Sequence, residues 1–153
     1  MCPKLKQNES NYLKGLGAKE VLFRKDLDLE KIKPLTKEIW AGAVDNLGGS
    51  ILSLVTSQIK WGGTLSVIGL AASPKYDTTV LPFILRNISV LGIDSVNAPF
   101  AARKKIWERL ATDLKPSHLD EAVTTIGLDD LPSIFSEVMA GSITGRRVVK
   151  LGS

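Results

Sequence analysis

Apolar residues change their period several times along this chain, and each change marks an element. Residues 41–45, Ala-Gly-Ala-Val-Asp, are small and apolar up to the acid, the pattern of a buried strand. Ile51, Leu52, Leu54, Val55 and Ile59 then recur at helical spacing between Gly48-Gly49 and Trp61-Gly62-Gly63, which predicts a helix held between two glycine pairs. Residues 64–70, with a glycine near the far end, and residues 88–94 read as further strands. Strand, helix and strand at this separation imply a right-handed parallel crossover. The expected class is α/β, with a parallel sheet covered on both faces.

Outside this stretch the signals are weaker. Asn8 and Ser10 are possible N-caps for a short helix ending at Gly17, with Tyr12, Leu13 and Leu16 as its apolar positions. Residues 26–34 are charged and end in a proline, which suits a surface connection. Ala102, Ile106, Leu110 and Leu114 step by four beside Trp107, predicting a helix within residues 98–114. Residues 122–128 form a short β-prone run, Asp129 and Asp130 are placed to cap a helix running to Gly141, and residues 146–151 alternate toward a terminal strand.

At 153 residues and 44% hydrophobic content the chain is long enough for one substantial core and too short for two large domains. A net charge of +4 is spread over separate segments, and Trp40, Trp61 and Trp107 fall in unrelated places. A nucleic-acid binder would concentrate charge and aromatics on one face, so no nucleic-acid partner is expected. A single cysteine, Cys2, and a single histidine, His118, allow neither an internal disulfide nor a structural zinc site, and a reducing cytoplasm is the default location. No apolar run is long enough to span a membrane.

In open parallel sheets a ligand lies outside the carboxyl ends of the strands. Those ends carry Asp45 and Asn46 with Gly48-Gly49, then Gly69, Leu70 and Ala71, then Asp94 and Ser95. Glycines there either let a backbone approach a flat ring or diphosphate, or are simply turn residues. Gly15-Leu16-Gly17 lacks the third glycine of a dinucleotide fingerprint and follows a helix, so it reads as a helix end. His118 has no neighbouring nucleophile, and the acid pairs at 26/28 and 129/130 have no facing partner. In the run Lys4-Leu5-Lys6-Gln7-Asn8-Glu9-Ser10, basic and hydroxyl side chains suit a 2′-phosphate, or equally a solvated terminus.

Tyr12-Leu13-Lys14-Gly15-Leu16-Gly17-Ala18, Trp40-Ala41-Gly42-Ala43-Val44-Asp45, Trp61-Gly62-Gly63, Leu81-Pro82-Phe83-Ile84-Leu85-Arg86-Asn87, Gly92-Ile93-Asp94-Ser95-Val96 and Gly145-Arg146 occur in a recognisable order. The chain, over about residues 6–151, resembles the bacterial quinone-oxidoreductase-like group of medium-chain reductases that includes acrylyl-CoA reductase. The stretch from Pro82 to Val96 is the most diagnostic.

The resemblance implies a zinc-free enzyme with a GroES-like catalytic domain and a Rossmann domain, reducing an activated C=C bond with NADPH. It implies that Lys6 lies near the 2′-phosphate with Asn8 and Ser10 beside it. It also implies that Asn46, Gly69, Leu70, Asp94 and Ser95 line the cofactor cleft, and that Arg146 reaches it from the terminal strand. On this basis residues 1–97 are expected to form a partial Rossmann-type sheet with flanking helices, lacking its first strand and glycine loop. Residues 98–153 would be an extension belonging to the catalytic domain. The chain would then be an inactive, truncated reductase carrying no catalytic residue or metal of its own. A nicotinamide cofactor and a second copy of the chain, paired through the sheet edge, are the expected partners. Two alternatives stand beside this reading: a non-enzymatic interaction module that self-associates through the edge at residues 88–94, and a full-length enzyme whose start lies upstream of Met1.

Overall fold

The computed structural model describes residues 9–152. In chain order the regular elements are α1 (Glu9–Gly15), β1 (Trp40–Asp45), α2 (Gly49–Gln58), β2 (Ile59–Val67), α3 (Leu81–Arg86), β3 (Ser89–Gly92), α4 (Phe100–Ala111), β4 (Val123–Ile126), α5 (Leu131–Met139) and β5 (Arg146–Val149). The chain divides into two compact units. One is Arg24–Pro99, and the other joins described residues 9–23 to 100–152, so α1 groups with the C-terminal elements.

In the second unit β4 and β5 pair in parallel, Val123 opposite Arg146 and Ile126 opposite Val149, with α5 as the crossover that parallel strands need. The Oγ1 of Thr144 donates to Glu9 Oε1 at 3.2 Å, tying α1 to the segment before β5. Ser10 lies inside the first turn of α1, so it is not a cap; Asn8 lies outside the described residues. Asp130 does not cap α5 with its side chain: its Oδ2 accepts the Gly127 N–H at 2.8 Å, closing the 3-10 turn ahead of that helix. α4 ends at Ala111, short of the expected 114, and its apolar stripe is open, with Trp107 65% exposed. No described residue of this unit is buried.

The core lies wholly in the first unit. Strand order is β1-β2-β3, all parallel. The register sets Ala43, Leu65 and Val90 side by side, and side chains two apart share a face. That row packs on Leu52 and Val55 of α2 and Phe83 of α3, around buried Leu52, Ile59, Leu65 and Ile88. Each fully buried Leu or Ile contributes about 1.5–3 kcal/mol. The opposite row is Val44, Ser66 and Leu91, where Val44 is 73% and Leu91 49% exposed. The sheet is therefore covered on one face, not on both: α2 and α3 pack against the same side.

Helix α2 ends at Gln58, three residues before the predicted stop. Trp61-Gly62-Gly63 lies within β2, where the pairing jumps from Trp40–Ile59 to Gly42–Thr64 and the extra residues bulge outward. The Trp61 N–H in this bulge donates to Glu38 Oε2 at 3.0 Å. Arg86, in the last turn of α3 and only 12% exposed at its side chain, braces the end of α2, where Ile59 turns extended. Its Nη1 donates to the carbonyls of Ser57 at 2.7 Å and Ile59 at 3.3 Å, its Nη2 donates to the Thr36 carbonyl, and its Nε stands 3.5 Å from Glu38. A helix end leaves unpaired carbonyls and partial negative charge, and a planar guanidinium supplies both donors and positive charge. Arg86→Met should lower unfolding stability by about 2–4 kcal/mol, because the carbonyls of Ile59 and Thr36 lose this donor and Ser57 loses one of several. Arg86→Lys should recover less than half of that, as a point charge lacks the fork. Urea denaturation measures both, and a lysine variant as stable as the parent would contradict this role.

Candidate functional site

The carboxyl end of β1 runs into a turn that its own acid holds. Asp45 is buried, and its Oδ2 accepts the Gly48 N–H at 2.8 Å. Gly48 has φ 68° and ψ −163°, a backbone region that side chains avoid, and a Cβ there would collide with the Ser73 carbonyl oxygen. Gly48 pairs with Ser73 in an isolated parallel bridge. The N–H of Ala72 donates to the Leu47 carbonyl at 2.8 Å, that of Ala71 to Asn46 at 3.2 Å, and that of Gly49 to Lys75 at 2.9 Å. The loop after β2 is thus laced onto the turn after β1. A Cβ on Gly69 would lie 2.9 Å from the Asn46 carbonyl oxygen, so this glycine lets the two strand ends approach. The glycines at 48 and 69 serve backbone packing first. The Gly49 N–H at the start of α2 goes to Lys75 rather than to a ligand.

Beyond this lacing lies an open groove of about 610 Å³. Its walls include Leu52, Val67 and Val90, with Gly69 and Leu70 from just beyond β2, which stops at Val67 and not at the expected 70, and Asp94 from beyond β3. Three of the sequence candidates, Gly69, Leu70 and Asp94, are therefore brought together. Asn46 stands behind Gly69 through its backbone, and Ser95 follows Asp94 as an exposed residue. Ser73, Lys75 and Tyr76 also line the groove. Strand-end logic missed them because they come from the middle of the connection, where nothing in the residue pattern marks a return to the site. Thr56 Oγ1 donates to the Leu52 carbonyl at 2.7 Å, so its only proton is used. The Tyr76 hydroxyl, 2.9 Å away, must then be the donor to Thr56, which pins the phenol to α2.

Asp94 folds back on its own turn. Its Oδ1 accepts the N–H groups of Val96 and Asn97, each at 3.0 Å, and its Oδ2 accepts the Asn97 side-chain amide at 2.6 Å. The Asn97 backbone and then its side chain hold this carboxyl below its ordinary range. Ser10 and Arg146 belong to the other unit, in α1 and at the start of β5. Lys6, like Asn8, lies outside the described residues. His118 pairs with Glu121 at 2.8 Å on the surface. No cluster among the described residues could hold a metal, and no helix is long and apolar enough to cross a membrane.

Parallel strands backed by helices, with an open groove at their carboxyl ends, define an α/β sheet of the dinucleotide-binding class. The chain is 39% identical over 144 residues to acrylyl-CoA reductase AcuI of Ruegeria pomeroyi, and 43% identical over 143 residues to YhfP of Bacillus subtilis. Over these matched residues it belongs to the quinone-oxidoreductase-like, acrylyl-CoA reductase group of medium-chain dehydrogenases and reductases. Those matches take in 94% and 93% of the chain but only 44% and 43% of the relatives, so it spans less than half their length. The yhdH oxidoreductase of Salmonella enterica, solved in complex with NADP, superposes with a TM-score of 0.84 at 39% identity, over 96% of this chain and 45% of that one. B. subtilis yhfP, solved with NAD bound, gives 0.84 at 41% identity, over 95% of this chain and 45% of that one. No family model matches the chain.

Gly48→Ala should cost about 1–3 kcal/mol, the strain of a side chain in that backbone region. It should also speed amide exchange at Ala72 and Ser73, whose partner is Leu47; unchanged exchange there would separate the loop from the turn. For Asp94 the folded pKa is the lower one. The charged form therefore stabilises the turn fully above the unfolded value, and that contribution fades as pH falls through the folded value. A carboxyl shift titration should place Asp94 below the ordinary aspartate value of about 3.9, and Asn97→Ala should move it upward. A midpoint unmoved by Asn97→Ala would assign the shift elsewhere.

Proposed function

We propose that this chain forms the nicotinamide side of an NADPH-dependent reductase acting on an activated C=C bond or a quinone. The observation that carries the reading is the groove at the ends of the parallel strands, in a chain related to a protein solved with NADP. Its volume of about 610 Å³ is ample for a flat ring, and its walls are largely apolar. The bound cofactor would supply a hydride. The chain's own residues would seat the ring against Val67 and Val90, keep water from its inner face, and border it with Gly69, Leu70, Asp94 and Ser95. Asn46 would support that wall from behind.

The diphosphate end is a different matter, because the Gly49 N–H at the start of α2 is taken by the Lys75 carbonyl. The reading gives that end to residues beyond these elements. Lys6 is the proposed contact for a 2′-phosphate, with Asn8 and Ser10 as further candidates, and Arg146 would stand near the cofactor cleft. Residues 98–153 would be the part that joins a GroES-like catalytic domain, and the acceptor site would lie mainly on that domain. Without it the chain would bind cofactor and not turn over substrate. A cytoplasmic location and pairing of two copies along the β3 edge complete the reading.

Thermal melts of the full chain test it. NADPH at about a hundredfold its Kd should add about 2.7 kcal/mol and raise the midpoint by several degrees. NADH should add less, and Lys6→Ala should bring the two cofactors to the same shift. A midpoint indifferent to NADPH at millimolar concentration would overturn the reading, and equal shifts with the two cofactors in the parent chain would remove Lys6 from it.

A further inference from the structure

The groove wall between β2 and α3 hangs on few contacts. Residues 68–80 form neither helix nor strand, and the backbone bonds that lace them to the turn after β1 and the start of α2 end at Lys75. Among the described residues, those from 77 to 80 hydrogen-bond only to one another and to α3. Between the two stretches stands Tyr76, the one aromatic side chain among those lining the groove. Its ring packs against the core cluster of Leu52, Ile59, Leu65 and Ile88, and its hydroxyl donates to Thr56 Oγ1 at 2.9 Å. Thr56 is fully buried in α2, and its own proton goes to the Leu52 carbonyl. One side-chain bond therefore ties the far part of the wall to the helix. A loop held this way opens locally whenever the tie breaks.

We propose that Tyr76 is a positioning residue for the cofactor: through Thr56 it keeps the loop wall in the one arrangement that admits the nicotinamide ring. The proposal rests on the reductase reading for the ligand and adds to it the residue that pre-forms the site. The effect is one of population. When only the pinned wall binds, apparent affinity scales with the pinned fraction, and a single neutral hydrogen bond shifts that fraction a few-fold.

Stopped-flow mixing of the full chain with NADPH, followed by the cofactor's fluorescence, tests this, with urea denaturation of each protein beside it. Tyr76→Phe should slow association about threefold while dissociation keeps the parent rate. Thr56→Val removes the acceptor and should do the same, and Thr56→Ser, which returns a hydroxyl, should restore fast association. The double variant should be no slower than either single one, since both break one bond. Tyr76→Phe removes a single oxygen and decides the matter even where Thr56→Val fails to fold. A lower urea midpoint with both rate constants untouched would make the bond purely structural and overturn the proposal. Faster dissociation with unchanged association would also overturn it, because Tyr76 would then be a contact of the bound ring. If NADPH binds parent and variants alike, the proposal falls alone; if NADPH does not bind the parent, the reductase reading falls with it.

Discussion

The end of α2 must be satisfied before anything beyond it can be placed, and the Arg86 guanidinium does this together with the backbone N–H groups of Thr36 and Ile39. Arg86 arrives from α3, beyond a long loop, and meets carbonyls of Ser57, Ile59 and Thr36. The Thr36 N–H and the Ile39 N–H add further donors to Ser57 and Gln58. These contacts hold the junction between α2 and β2. The opposite end of the same helix carries Gly49, whose N–H holds Lys75 and with it the loop that walls the groove. The ten-residue helix is therefore fixed at both ends, by Arg86 and its neighbours at one and by the groove loop at the other.

A second constraint acts at the near end. Asp45 is buried as an acid because it accepts a backbone N–H at a helix start, where negative charge is favoured. The turn it holds brings Gly48 against Ser73, and only a glycine fits. Sequence, turn geometry and groove shape are linked there through backbone contacts alone. A ligand in the groove would touch side chains of β2 and β3 whose positions depend on that lacing.

Much of the first unit was legible in the residue pattern. β1 and α2 follow from small apolar residues ending in an acid and from helical spacing, because both depend on local preference and one buried face. The Trp61-Gly62-Gly63 segment misled, since glycine pairs mark helix ends and strand bulges alike and only the partner strand distinguishes them. Coverage of both sheet faces was expected from parallel pairing in general, yet Val44 and Leu91 lie bare because α2 and α3 share a side. Arg86 was visible only as part of a diagnostic string: its role depends on carbonyls about thirty residues away, which no periodicity encodes. Gly69, Leu70 and Asp94 were found because strand ends are a rule of parallel sheets. Lys75 and Tyr76 were not, because a loop returning to its own sheet leaves no such mark.

The central claim is that the groove between the laced loop and the end of β3 is where a nicotinamide cofactor lies. Hydrogen–deuterium exchange of the full chain with and without NADPH addresses it directly, since each amide reports its own protection. The account predicts slower exchange at residues 68–71 and 92–95 when NADPH is added. Protection confined to segments away from those residues, with the loop and the β3 end exchanging as before, would contradict it.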